Sequence, residues 1–231
     1  MKKIKKLIRP VVERIYPFYL FGYKSYSQDG EDMMLRAFME IEYPKNYKGF
    51  YVDIGAHHPY RFSNTVYFYK KGWRGINVEP TPTLIKKFYS LRKRDININA
   101  AVGISDKPLV FYCFNEPALN SFDRELSISR ENDRYKIIEQ VEVPLEKLSS
   151  ILDKNVPKGT EITFMTIDVE GLDFEILESN DWQKYNPKFI LIEDDIDFED
   201  IKSNKVYNYL KDRKYQLIGK TLRTSIYKKI N

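Results

Sequence analysis

The sequence predicts an α/β fold: a doubly wound, mostly parallel sheet with an antiparallel closing strand. Three observations carry this. Short apolar runs alternate with helical stripes along most of the chain, which is the order of a parallel sheet built from βα units. Two stretches, Gly49–Ala56 and Phe164–Gly171, are apolar β-type runs of the kind that buried parallel strands show. Each ends near an acid and a glycine, Asp53 with Gly55 and Asp168 with Gly171. A buried parallel strand reads this way where its carboxyl end opens into a ligand crevice.

The elements follow in order. Residues 1–25 read as a separate basic arm, in which Pro10 and Pro17 interrupt any helix. Ser27 to Glu31 is a capping signal ahead of Met33, Met34, Leu35, Phe38 and Met39, an apolar stripe at helical spacing. The domain proper spans 26–231. Its first strand is Phe50–Ile54, followed by a helix over Ser63–Lys71 that stops at Gly72. The second strand, Gly75–Val78, ends in Glu79 and Pro80. A helix over Thr83–Arg92 leads to a third strand, Ile96–Val102. An insertion around 104–144 then changes character: strands at Leu109–Phe114 and Ile138–Val143 flank a charged stretch, Asp123 to Lys136, read as a mobile loop. A short helix over Leu145–Leu152 precedes the fourth strand, Ile162–Asp168. Leu172–Leu177 begins the next helix, and Phe189–Glu193 is the fifth strand. A helix over Ser203–Asp212 and a closing pair, Tyr215–Ile218 with Ser225–Tyr227, complete the chain.

With 231 residues, 42% of them hydrophobic, the chain can bury one sizeable core. Its net charge of +5 is mild, but Lys2, Lys3, Lys5, Lys6 and Arg9 crowd the start. Continued by Leu7, Ile8, Val11, Val12 and Ile15, this segment predicts peripheral contact with an anionic membrane; a solvated terminus is the alternative. Nucleic acid is disfavoured, because the remaining basic residues are interleaved with acids and no recognition motif is present. No apolar run is long enough to cross a bilayer, and the start has no signal-peptide pattern. The single cysteine, Cys113, lies in an apolar run and cannot form a disulfide within the chain, which suits the cytoplasm, at the inner face of the membrane if the basic arm docks there.

Glu79 lies 26 positions after Asp53. An acid at the end of the second strand can accept hydrogen bonds from both ribose hydroxyls of an adenosine, in NAD and in S-adenosylmethionine alike. The glycines favour the second. A dinucleotide loop needs several, so that backbone can approach a pyrophosphate. Here Gly55 is followed by Ala56, His57, His58, Pro59 and Tyr60, a poor phosphate cradle. A methyl donor needs only a close backbone approach at Gly55 and an acceptor such as Asp53 for its amino group. A turn without any ligand is the third reading, set against the cost of burying an acid at each of two strand ends.

With these residues in view, the chain resembles the FkbM family of S-adenosylmethionine-dependent methyltransferases. The pieces are Tyr26–Asp32, Phe50–Ala56, Asn99–Gly103, Ile167–Gly171 and Pro187–Glu193, in that order, over roughly residues 26–195. The resemblance implies a Rossmann-like fold and O-methylation of sugars or sugar-bearing compounds. It places Asp53, Gly55, Ala56, Glu79, Pro80, Ala100 and Ala101 along the cofactor, with Gln28 to Glu31 capping it.

Methyl transfer to a hydroxyl requires alignment, removal of a proton and stabilisation of the developing alkoxide. Asp168 and Glu170 at the fourth strand and Glu193, Asp194 and Asp195 at the fifth would meet on one rim. Asp168, Glu193 and Asp194 form a candidate site for a hard cation such as Mg²⁺, which would acidify a chelated sugar hydroxyl. Metal-dependent macrolide-sugar methyltransferases look similar here; a solvated acidic loop is the alternative. Glu170 or a histidine is then the candidate base. His57 and His58 are the only histidines, and His58 is the preferred one. Ser63, Asn64 and Thr65 are placed to bind sugar hydroxyls or to cap the helix, and Asn120 and Ser121 to form part of a lid over the acceptor. The expected partner is a sugar or glycoconjugate acceptor, nucleotide-linked or part of a surface glycan. Competing functions are an NAD-dependent sugar oxidoreductase or epimerase and a non-catalytic glycan-binding protein.

Overall fold

The computed structural model describes residues 10, 12, 14 and 22–230, apart from 106, 170 and 195. Most of the proposed basic arm, together with Glu170 and Asp195, therefore lies outside the described residues.

The helix α1 (Glu31–Glu42) precedes β1 (Phe50–Ile54). Its N-cap is Gly30, in the left-handed conformation at φ 92°, and not the expected Ser27. Ser27 Oγ nevertheless accepts from Asp32 N in the first turn at 3.3 Å and donates to the Asp32 carboxylate, which also accepts from Ser25 Oγ and Tyr26 N, so the residues before the helix fold back onto its first turn. Then come α2 (Val66–Lys70), β2 (Arg74–Val78), α3 (Pro82–Leu91), β3 (Ile96–Ile98) and β4 (Ala101–Val102). The excursion holds β5 (Leu109–Phe114), α4 (Arg124–Arg130) and β6 (Ile137–Val143). The rest is β7 (Leu145–Glu146), α5 (Leu148–Asn155), β8 (Phe164–Ile167), α6 (Asp173–Glu178), β9 (Phe189–Glu193), α7 (Lys205–Asp212), β10 (Tyr215–Lys220) and β11 (Thr224–Lys229).

Seven strands form the main sheet in the order β10-β11-β9-β8-β1-β2-β3. The five from β9 to β3 are parallel, and β11 enters antiparallel between β9 and β10. This is the Rossmann-like arrangement with an antiparallel closing element. From β1 the chain builds outward to β2 and β3, then returns to lay β8 and β9 on the other side. The switch point thus falls between β1 and β8, where such sheets bind ligands.

Side-chain alternation divides the core between the two faces. Val52, Ile54, Ile76, Val78, Met165 and Ile167 pack with Leu148, Ile151, Ile176 and Leu210 from α5, α6 and α7. Tyr51, Phe164, Phe189 and Leu191 face Leu35, Met39, Phe68 and Trp73 on the side of α1 and α2. Gly75 is required beside Tyr51, because a Cβ there would stand 2.2 Å from the tyrosine ring.

Four local expectations are corrected. The third strand is not continuous over Ile96–Val102: Asn99 Nδ2 donates to the carbonyls of Glu79 and Pro80, the chain turns there, and β4 leaves to pair with β7. The helix expected at Leu145 begins at Leu148, because residues 145–146 are that partner strand. The charged stretch after Asp123 is not simply a loop; α4 occupies its first half, capped by Asp123 Oδ1 accepting from Leu126 N. The helix α2 is shorter than expected: Thr65 is its N-cap, and Ser63 Oγ, just before it, accepts from Val66 N.

Candidate active site

A crevice opens at the carboxyl ends of β1, β2 and β8, with about 770 Å³ of space outside protein atoms, its mouth included. One wall is sheet and loop: Gly55, His57, Glu79, Ala100 and Asp168. The opposite wall comes from the excursion, with Phe111, Pro117, Asn120 and Phe122. Phe111 and Phe122 pack ring on ring at 4.6 Å.

Glu79 is the best-defined charge in it. Its side chain is buried; Oε2 accepts from His57 N at 2.9 Å and Oε1 from Thr81 N at 2.8 Å. Burial pushes its pKa up to about 7, against the lowering effect of the bonds from Thr81 and His57. Pro80, Ala100 and Ala101 supply apolar surface beside it. Gly55 has φ 81°, and a Cβ there would lie 1.8 Å from the carbonyl oxygen of Asp168. Its close approach is therefore first of all to the end of β8, which it draws against β1.

The loop after β1 is strained. His57 and Phe62 both have left-handed backbones, at φ 50° and 56°, which side chains larger than glycine seldom adopt. His57 lines the crevice, with its Nε2 buried and without a hydrogen-bond partner. Burial, helped by Arg61, lowers its pKa to about 4, so the ring is neutral at pH 7. His58, the histidine preferred from sequence, is not in the crevice lining. Its Nδ1 accepts from Tyr60 N and Arg61 N, which makes it a staple of its own turn.

Several other expected residues stand behind the site. Asp53 does not line the crevice. Its Oδ2 accepts from Thr65 Oγ1 at 2.8 Å, and burial raises its pKa to about 6. Thr65 is fully buried in the same contact and cannot meet a sugar directly. Both belong to a network that sequence reasoning missed. Arg92, fully buried, donates to Asp95 Oδ2 (2.9 Å), Pro59 O (3.1 Å), Tyr51 Oη (2.8 Å) and Thr65 Oγ1 (2.9 Å). It fastens the end of α3 to the loop that carries His57. Ala56 packs with Ile85 and Phe88 under this loop instead of lining the crevice. Ser121 is buried in a bridge to Tyr112, while Asn120 does line the crevice, its Oδ1 accepting from Phe114 N.

A smaller polar recess adjoins the crevice, and Gln28, Phe62 and Asp168 line both. Glu31, Asn64 and Glu193 line the recess. Glu31 is buried and accepts from Thr221 Oγ1, so it holds the amino segment to the turn before β11. Asp168 and Glu193 do come together here. Asp194 does not join them: its carboxylate pairs with Lys220 at 2.5 Å, and both side chains are buried. Among the described residues no group of three or more His, Cys, Asp or Glu side chains could hold a metal ion. The Asp168–Glu193–Asp194 cation site thus does not fit this donor set.

A ligand crevice at the switch point of a mostly parallel sheet, with a buried acid closing the second strand, defines an α/β protein of the enzyme-bearing kind. The family model for the methyltransferase FkbM domain matches residues 53–217, and the chain belongs to that family. Among solved structures, methyltransferase FkbM from Methylobacillus flagellatus KT is similar, with 12% sequence identity and a TM-score of 0.42. The alignment covers 79% of this chain and 44% of that one, so the chain spans less than half of that protein's length. A comparison with curated proteins found no significant match.

Proposed function

We propose that the protein transfers a methyl group from S-adenosylmethionine to a hydroxyl of a sugar, one that is nucleotide-linked or part of a surface glycan. The observation that carries this reading is Glu79: a buried carboxylate at the end of β2, in the lining of the crevice, with its oxygens oriented by two backbone N–H groups. Each oxygen keeps a lone pair for a ribose hydroxyl. Pro80, Ala100, Ala101 and Phe111 would flank the adenine, and Gly55, His57 and Asp168 lie toward the end of β1 where the reacting group would sit.

The methyl donor supplies an electrophilic methyl carbon; the chain must orient the acceptor and take its proton. Asp168 is exposed where crevice and recess meet, which suits a carboxylate that accepts a hydroxyl proton or passes it to water. His57, neutral at pH 7, offers a hydrogen-bond acceptor in the same crevice. Carboxylates around the crevice also favour the donor's positive charge.

Isothermal titration calorimetry with S-adenosylmethionine and with NAD tests the reading. Binding of the methyl donor and none of NAD is expected. The reverse would exclude methyl transfer and favour a sugar oxidoreductase, although the loop from Gly55 to Tyr60 has no further glycine for a pyrophosphate.

A further inference from the structure

We propose that the polar recess beside the crevice is the acceptor subsite, and that it takes an uncharged polyhydroxylated ring while rejecting an anionic one. This rests on the methyl-transfer reading and adds what the acceptor must look like at its reacting ring.

The recess meets the crevice at Asp168 and Phe62, so a group held in one reaches the wall of the other. Phe62 is 39% exposed and stacks on His57 at 6.3 Å. The Arg61 guanidinium also lies over the ring, 4.4 Å from its centroid, so it is the exposed rim of the aromatic ring that offers apolar surface to the C–H groups of a pyranose. The rest of the lining is almost wholly polar. Asn64 Nδ2 donates to Thr166 Oγ1 at 3.0 Å, which fixes the amide. Its Oδ1 is buried with no partner, and Asn64 belongs to the lining of the recess.

Charge sets the class of ligand. Asp29, Glu31, Asp168 and Glu193 line the recess with one guanidinium, that of Arg223. Arg223 Nη1 already donates to Asp29 Oδ2 at 3.0 Å. A phosphate or uronate would meet a net negative wall whose one cation is engaged. A neutral sugar brings hydroxyl donors, which carboxylates accept.

The test titrates the protein, with S-adenosylhomocysteine present, with methyl pyranosides of the gluco, galacto and manno series and with the matching methyl uronates. Saturation-transfer NMR and calorimetry read the binding. A neutral pyranoside is expected to bind, with its uronate weaker by about tenfold or more. Phe62→Gly and Asn64→Ala should each weaken the neutral probe by about fivefold or more, and Glu193→Gln should narrow the gap to the uronate. Glycine suits the backbone at position 62, so that variant keeps its fold. Equal or tighter binding of the uronate, indifference to both substitutions, or no binding by any pyranoside overturns the subsite. S-adenosylhomocysteine is titrated separately on the same sample. If it binds and no pyranoside does, the subsite falls and methyl transfer stands; if it does not bind, the methyl-transfer reading itself falls.

Discussion

Glu79 accepts two backbone N–H bonds and still titrates near neutrality, because burial outweighs them. Two predictions follow from that balance. If ribose hydroxyls donate to the ionised carboxylate, the fraction competent to bind rises with pH through about 7. Affinity for S-adenosylhomocysteine should then be about tenfold higher at pH 8 than at pH 6. Glu79→Gln should weaken binding and flatten this profile; a profile of unchanged slope in the variant would separate Glu79 from the ribose. The same raised pKa acts oppositely on the unliganded fold. The folded state holds the Glu79 proton more tightly than the unfolded chain, so its contribution to stability is full below the ordinary value of 4.5 and is lost as pH rises through about 7. At Gly55 the constraint is steric. Gly55→Ala would force a Cβ to within 1.8 Å of the Asp168 carbonyl from a backbone at φ 81°. A loss of about 3 kcal/mol or more in urea unfolding is expected. Sequence made these residues legible because acids and glycines at strand ends are rare and positional. It preferred His58 to His57, the one that lines the crevice, because no pattern tells which of two neighbours turns inward. Here the strained backbone at His57 decides it.

At the scale of the elements, the strands were legible where both faces are buried, as in β1, β8 and β9, whose residues are mostly apolar. They were misread where side-chain hydrogen bonds, not hydrophobicity, end them, as at Asn99 after β3. Arg92 was invisible for a related reason: an arginine near the end of an amphipathic helix reads as solvated, and only the tertiary fold shows it joined to Tyr51, Asp95, Pro59 and Thr65. Arg92→Met leaves Asp95 buried without its counter-ion, which should cost about 3–5 kcal/mol. Tyr51→Phe removes only a hydroxyl from the same network and should cost about 1–2 kcal/mol. Denaturant melts of the two variants check the order; equal losses would mean that the ion pair carries no special weight. At the end of β9, Asp194 is taken by Lys220 across the sheet. Methyl transfer is therefore expected to persist in EDTA. Loss of activity in chelator with recovery in Mg²⁺ would contradict this and direct attention to carboxylates beyond Asp194.

Taken whole, the molecule builds its crevice from two parts of different character. One wall is the main sheet, where β1, β2 and β8 end and each strand is tied to its neighbours. The other is the excursion, whose strands β5 and β6 pair with each other in a separate two-stranded sheet. The sheet wall was readable from sequence. Of the excursion wall Asn120 was readable, as part of an expected lid, but the pairing of Phe111 with Phe122 was not, because their spacing has no period and only the tertiary fold packs one ring against the other. Bringing these parts together should be the main mechanical effect of ligand. A ligand between Glu79 and Phe111 bridges the rigid sheet to a hairpin with few neighbours of its own, and binding to the folded state alone stabilises it by mass action, by about 2.7 kcal/mol at a hundredfold excess over Kd. For a chain of this length that is a rise in Tm of roughly 5–10 °C. Hydrogen exchange should show where the gain is made: amides of β5 and of residues 115–122 slow with S-adenosylhomocysteine, while those of β8 and β9, already deep in the sheet, change little. Protection confined to the loop after β1, with the excursion exchanging as before, would mean that the ligand sits on the sheet wall alone and that the aromatic pair closes over nothing.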